Sequence, residues 1–101
     1  MPRRRRFSAE PFGATVSRLM ATSGTTYRDL AAKSGLSASY LNRIVHGDRP
    51  LPDDDVLENI ARALNVEPDH FREYRLRILT ERLEAMPETA DRLYEKLIPT
   101  A

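Results

Sequence analysis

Residues 26–47 read TYRDLAAKSGLSASYLNRIVHG, and this stretch decides the fold. Thr26 followed three positions on by Asp29 makes a capping-box-like start, in which hydroxyl and carboxylate satisfy backbone donors that the first helical turn leaves unpaired. Leu30 and Ala31 form the inward face of a helix that runs to about Ser34. Gly35 is the residue best able to take positive φ at a tight exit. Ser37 caps a second helix at once, with Leu41, Ile44 and Val45 turned inward and Gly47 as its stop. Ala31 must be small where the two helices cross, and Leu36 plugs the corner between them. Two short helices joined by a three- to four-residue turn with a glycine follow from these positions.

Outward from this unit the periodicity stays helical. Ser8 is positioned to cap a first helix whose Phe12, Val16, Leu19 and Met20 fall on one face, with Gly24 at its end. After the second and third helices, Asp48-Arg49-Pro50-Leu51-Pro52 is a loop that its prolines keep from continuing helically. A fourth helix from about Asp53 carries the stripe Val56, Leu57, Ile60, Ala61 and Leu64, and Asn65 suits a left-handed C-cap. Pro68 is expected to start a fifth helix, apolar along Phe71, Tyr74 and Ile78 and along Leu76, Leu79, Leu83 and Met86, up to Pro87. A last helix, about 88–98, carries Ala90, Leu93, Tyr94 and Leu97. The expectation is an all-α chain in three parts: a basic arm over 1–7, a core over 8–66 and a helical hairpin over 67–101.

The chain has 101 residues, 41% of them apolar, which suits one compact domain. It has no cysteine, so disulfides and thiolate zinc sites are excluded. The two histidines, His46 and His70, lie far apart in sequence; His46 suits a phosphate contact and His70 a solvent-facing turn. Net charge is +1, but residues 1–49 hold nine Lys or Arg against three Asp or Glu, while residues 50–101 hold seven against twelve. A basic first half is the electrostatic footprint of a polyanion partner. Asp53, Asp54 and Asp55 favour the macrodipole at a helix start rather than a metal site. No nucleophile motif and no glycine-rich phosphate loop is present, so the chain is not expected to be an enzyme or to need a cofactor. No apolar run reaches a membrane span, and MPRRRRF is not followed by a signal-like apolar stretch; a soluble, cytoplasmic chain is expected.

The 26–47 segment resembles the helix-turn-helix of the Cro and phage-repressor class, the XRE-type bacterial regulators, and the likeness extends over about residues 10–66. The resemblance implies a five-helix, lambda-repressor-like domain with one additional C-terminal helix here, and a recognition helix over residues 37–46 set in the major groove of double-stranded DNA. It also implies that Ala38, Ser39, Asn42 and Arg43 face base edges, Arg43 being suited to guanine O6 and N7. Thr26, Tyr27, Tyr40, His46 and Arg49 match positions that contact phosphate. The family often has glutamine where Tyr27 and Ala38 stand here, so its local hydrogen-bond pattern does not carry over.

Arg3, Arg4, Arg5 and Arg6 resemble the arms with which some relatives reach into an adjacent groove, or else attract phosphate loosely. Arg28 and Lys33 add to the basic surface or simply keep it soluble. Regulators of this class bind two half-sites as two-fold dimers, which makes Leu76, Leu79, Leu83, Leu93 and Leu97 candidates for a homodimer contact; the alternative is that the last helix folds back and covers the second apolar row. The implied function is a nucleoid-associated bacterial or phage regulator, a repressor reading a short palindromic operator. Two other readings stand beside it: an antitoxin-type autorepressor that holds a toxin with its C-terminal half, and a protein-interaction module that has lost DNA binding.

Overall fold

A computed structural model describes residues 6–99. Among them are six α-helices and no strand: α1 (Phe12–Ser23), α2 (Tyr27–Ser34), α3 (Ala38–Val45), α4 (Asp54–Ala63), α5 (Arg72–Glu84) and α6 (Pro87–Leu97), with a single 3-10 turn at Pro68–His70. The all-α expectation is met. The apolar stripes read from the sequence converge on one core: Phe12, Val16, Leu19 and Met20 of α1, Leu30 of α2, Leu41 and Ile44 of α3, Leu57, Ile60 and Ala61 of α4, and Phe71. Each fully buried aliphatic side chain in such a core contributes about 1.5–3 kcal/mol over leaving it in water. Phe12 and Phe71 meet edge to face, ring centroids 4.9 Å apart, so the residue that precedes α5 closes the core begun by α1.

Three local expectations are corrected by long-range contacts. Ser8 does not cap α1. Its hydroxyl is buried against Thr15 Oγ1 at 2.6 Å, and Pro11 stands at the N-cap position with no side-chain acceptor. The cap comes instead from α5, where Glu73 Oε2 accepts the Phe12 amide at 2.9 Å and sets a carboxylate at the positive end of the α1 dipole. Pro68 does not start the fifth helix. It opens the 3-10 turn, Phe71 then adopts extended φ −82° and ψ 127°, and α5 begins at Arg72. The extended step turns the Phe71 ring into the core, where it is fully buried. His70 does not face solvent: it is buried, with Nδ1 on the Arg6 carbonyl at 2.8 Å and its ring edge-on to Phe71.

The C-terminal helices pack differently. Neither α5 nor α6 has a fully buried residue; α6 packs against α5, and Leu83, Ala90 and Leu93 are half-buried. Leu76 and Leu79 remain 53% exposed, so of the second apolar row only Leu83 is half-buried, and Leu97 of α6 is itself 69% exposed. Arg77 ties α5 to the α3–α4 loop, donating to the carbonyls of Pro52 at 2.6 Å and Leu51 at 3.3 Å and to Asp54 Oδ1 at 3.1 Å.

Candidate nucleic-acid interface

The second helix starts on a complete capping box. Thr26 Oγ1 accepts the Asp29 amide at 3.1 Å, and Asp29 Oδ2 accepts the Thr26 amide at 3.0 Å. Hydrogen bonds from the Thr26 backbone, then its side chain, hold the Asp29 carboxyl below the ordinary carboxylate range. The helix ends at Gly35, whose φ of +75° lies in the left-handed region and whose amide donates to the Ala31 carbonyl at 3.0 Å. Nothing lies within 4 Å of where a Cβ would stand, so glycine is required there for its backbone angle and not for space. Half-buried Leu36 packs against the core, and Ser37 Oγ accepts the Tyr40 amide at 3.0 Å to launch α3.

Helix α3 divides sharply by face. Leu41 and Ile44 are buried, while Ala38, Ser39, Asn42 and Arg43 are all exposed. At about 100° per residue the four exposed positions span an arc of roughly 140° that points away from the two buried ones. Beyond them, His46 turns its ring back so that Nδ1 donates to the Asn42 carbonyl at 2.8 Å, which leaves Nε2 as the ring atom for a ligand. Arg49 is exposed in the loop that follows. Tyr27 and Tyr40 are half-buried against the core, and burial raises the Tyr27 phenol pKa above its ordinary value, keeping its hydroxyl a donor. Thr26 is exposed; its amide donates to Asp29, while its hydroxyl only accepts the Asp29 amide and keeps its own proton to donate outward. Arg28 and Lys33 are exposed on α2. Arg3, Arg4 and Arg5 lie outside the described residues; Arg6 pairs with Asp69 at 2.7 Å.

What holds α3 at its angle was not singled out in the sequence. Gly13, in the first turn of α1, lies against the last turn of α3. A Cβ built on it would overlap the Val45 carbonyl oxygen and stand 3.1 Å from the Val45 carbonyl carbon. Two backbones thus touch with no side chain between them. The available signal was a glycine inside an otherwise amphipathic helix, a choice that costs about 1 kcal/mol against alanine unless close approach requires it. Among the described residues no group of three or more His, Asp or Glu is placed to hold a metal ion, and no helix is long and apolar enough to cross a membrane.

Two helices at a three-residue turn, the second presenting a polar row on a rigid support, define a helix-turn-helix protein of the DNA-binding regulator class. The helix-turn-helix domain family matches residues 11–74, more than half of the chain, and the chain belongs to that family. This agrees with its likeness to the Cro and phage-repressor regulators. No curated protein and no solved structure matches the chain.

Proposed function

We propose that this protein is a sequence-specific transcriptional regulator of bacterial or phage origin that acts without catalysis in the cytoplasm, bound to double-stranded DNA as a homodimer on a short inverted repeat and repressing by occupancy. The observation that carries this reading is the exposed row Ala38, Ser39, Asn42 and Arg43 opposite buried Leu41 and Ile44. Arg43 supplies the bidentate contact to guanine, Asn42 and Ser39 supply shorter polar contacts, and Ala38 supplies an apolar one to a thymine methyl. Tyr27, Tyr40, His46 and Arg49 flank that row as phosphate contacts. At the start of α2 the Thr26 hydroxyl proton and the Tyr27 and Arg28 amides serve phosphate, since the capping box uses the Thr26 amide and only the acceptor side of its hydroxyl.

The exposed apolar positions Leu76, Leu79 and Leu97, with half-buried Leu83 and Leu93 behind them, support pairing of the hairpin with its copy. The same face supports the antitoxin-type reading, in which a toxin covers it. Selection from a random duplex library with the purified protein tests the proposal. An enriched inverted repeat, bound about 10³-fold or more above scrambled DNA, is the expected result. A single half-site argues against the dimer, and no enrichment with salt-labile binding argues for an interaction module that has lost sequence reading.

A further inference from the structure

Between the segment that leads into α1 and the exposed side of α5 the surface carries a hollow of about 490 Å³. Phe7 supplies one part of its lining and Tyr74, Ile78 and Leu79 another, while Asp69, Arg75 and Arg82 are its charged groups. The α5 residues among these follow from helical spacing. At about 100° per residue, Tyr74, Arg75, Ile78, Leu79 and Arg82 fall within an arc of roughly 140°, and Leu76 and Leu83 lie outside it. A mostly apolar lining with few charged groups, at this volume, falls in the range of small-molecule sites, about 300–1,000 Å³.

The aromatic part of this lining is held in place although it adds little to the core. Phe7 is 44% exposed, yet the Arg75 guanidinium carbon lies 4.6 Å from the centre of its ring and that of Arg6 5.0 Å. Arg75 is itself fixed by main-chain oxygens. Its Nη1 donates to the carbonyls of Asp69 and His70, both at 2.9 Å, and its Nη2 to the Ser8 carbonyl at 2.8 Å. The Ser8 amide donates back to the His70 carbonyl at 2.9 Å. A wall set in advance in this way lowers the ordering cost of binding a small molecule. The charge of the hollow is also one-sided. Asp69, the one carboxylate in its lining, is paired through Oδ2 with Arg6 at 2.7 Å. Arg75 and Arg82 pair with no carboxylate among the described residues, and Arg82 is exposed. Two cations beside an apolar floor select an anion with an apolar body.

We propose that this hollow binds a small organic carboxylate, about the size of an eight-carbon alkanoate. The apolar body lies against Phe7, Ile78 and Leu79, and the carboxylate meets Arg82. Arg75 acts as a positioning residue that holds the Phe7 wall and adds positive charge. The proposal does not depend on the DNA-binding reading, because no lining residue belongs to α2, α3 or the loop after α3. A ligand here and a duplex at α3 use separate residues.

The test is a titration of the isotope-labelled full chain with octanoate and, separately, with octanamide, followed by NMR. Octanoate should shift the Ile78 and Leu79 methyl signals and the Phe7 ring signals saturably, with a Kd of about 1 mM, the range open to a probe of about ten non-hydrogen atoms. Octanamide, of the same length without the charge, should bind about five-fold more weakly. Arg82→Gln should weaken octanoate about five-fold and leave octanamide unchanged. Phe7→Ala, which removes an exposed ring and spares the core, should weaken both probes alike, about five-fold. Shifts that never saturate, or that appear equally at Met86, Tyr94 and Leu97, exposed residues outside the hollow, would mean unspecific adsorption and overturn the inference. Octanamide bound as tightly as octanoate, or a preference that survives Arg82→Gln, would overturn it as well. A hollow closed by a second copy would show as Phe7 and Ile78 signals that move with protein concentration and ignore octanoate, and that result would also overturn it.

Discussion

Gly13→Ala puts a methyl group where the Val45 carbonyl oxygen already stands, and neither partner is a side chain that can rotate away. Relief requires α1 and the end of α3 to separate by about 1 Å, which loosens the packing of Phe12, Val16 and Ile44 behind them. Overpacking against a rigid neighbour costs about 3 kcal/mol at the upper end of its usual range. Alanine returns about 1 kcal/mol through better helix propensity, which leaves a net loss of about 2 kcal/mol. For a domain of this size that lowers the melting temperature by about 10 °C. Thermal and urea unfolding measure it, with Ala14→Gly, at an exposed neighbouring position, as the reference for propensity alone at about 1 kcal/mol or less. A Gly13→Ala protein as stable as the parent, or more so, refutes the backbone contact. The same variant should weaken specific DNA binding at temperatures where it is fully folded, because α3 is the element displaced.

Arg43→Ala should leave the melting temperature unchanged, since the side chain is exposed, and lower the specific-to-random binding ratio about 10- to 100-fold; equal losses on both duplexes would assign Arg43 to phosphate instead. Asp29 has a folded pKa below its unfolded value of about 3.9, so its contribution to stability is present above that pH and lost as pH falls through the lower folded value. Asp29→Asn should therefore flatten the acid limb of the stability curve, measured by urea midpoints from neutral to below pH 4, and an unchanged limb would refute the capping account. Leu76→Asp with Leu79→Asp should change the unfolding free energy of the monomer by no more than about 1 kcal/mol, because both positions are exposed, while sedimentation shows a lighter species; a dimer that persists would move the pairing surface elsewhere.

The segment around the turn was legible because its determinants are local. Thr26 and Asp29, Gly35, and Ser37 with the Tyr40 amide each act within three or four residues, and a sequence displays such pairs directly. The stripe of α4 and the positive φ of Asn65, at +62°, were legible for the same reason. What escaped were polar residues whose partners stand some sixty positions away. Glu73 caps α1, Arg75 reaches Ser8, and His70 is buried beneath Arg6, and no periodicity announces any of these. Pro68 read as a helix start because its local chemistry permits one. The burial of Phe71 against Phe12 instead asked the chain for one extended residue before α5. The exposed row of α3 was legible as a row; the geometry that aims it was not, because a backbone contact such as that of Gly13 leaves only an unexplained glycine in the sequence.

The cap that Glu73 places on α1 also sets how this protein can be taken apart. A chain cut after Val66 keeps all four helices of the reading head, yet it removes the acceptor of the Phe12 amide and the ring that fills the space beside Phe12. A graft of this reading head onto another protein must therefore carry the first residues of α5 with it. Regulators assembled by exchanging heads and hairpins at residue 66 would inherit an uncapped first helix and a hollow core, so the smallest transplantable piece of this protein runs past Glu73.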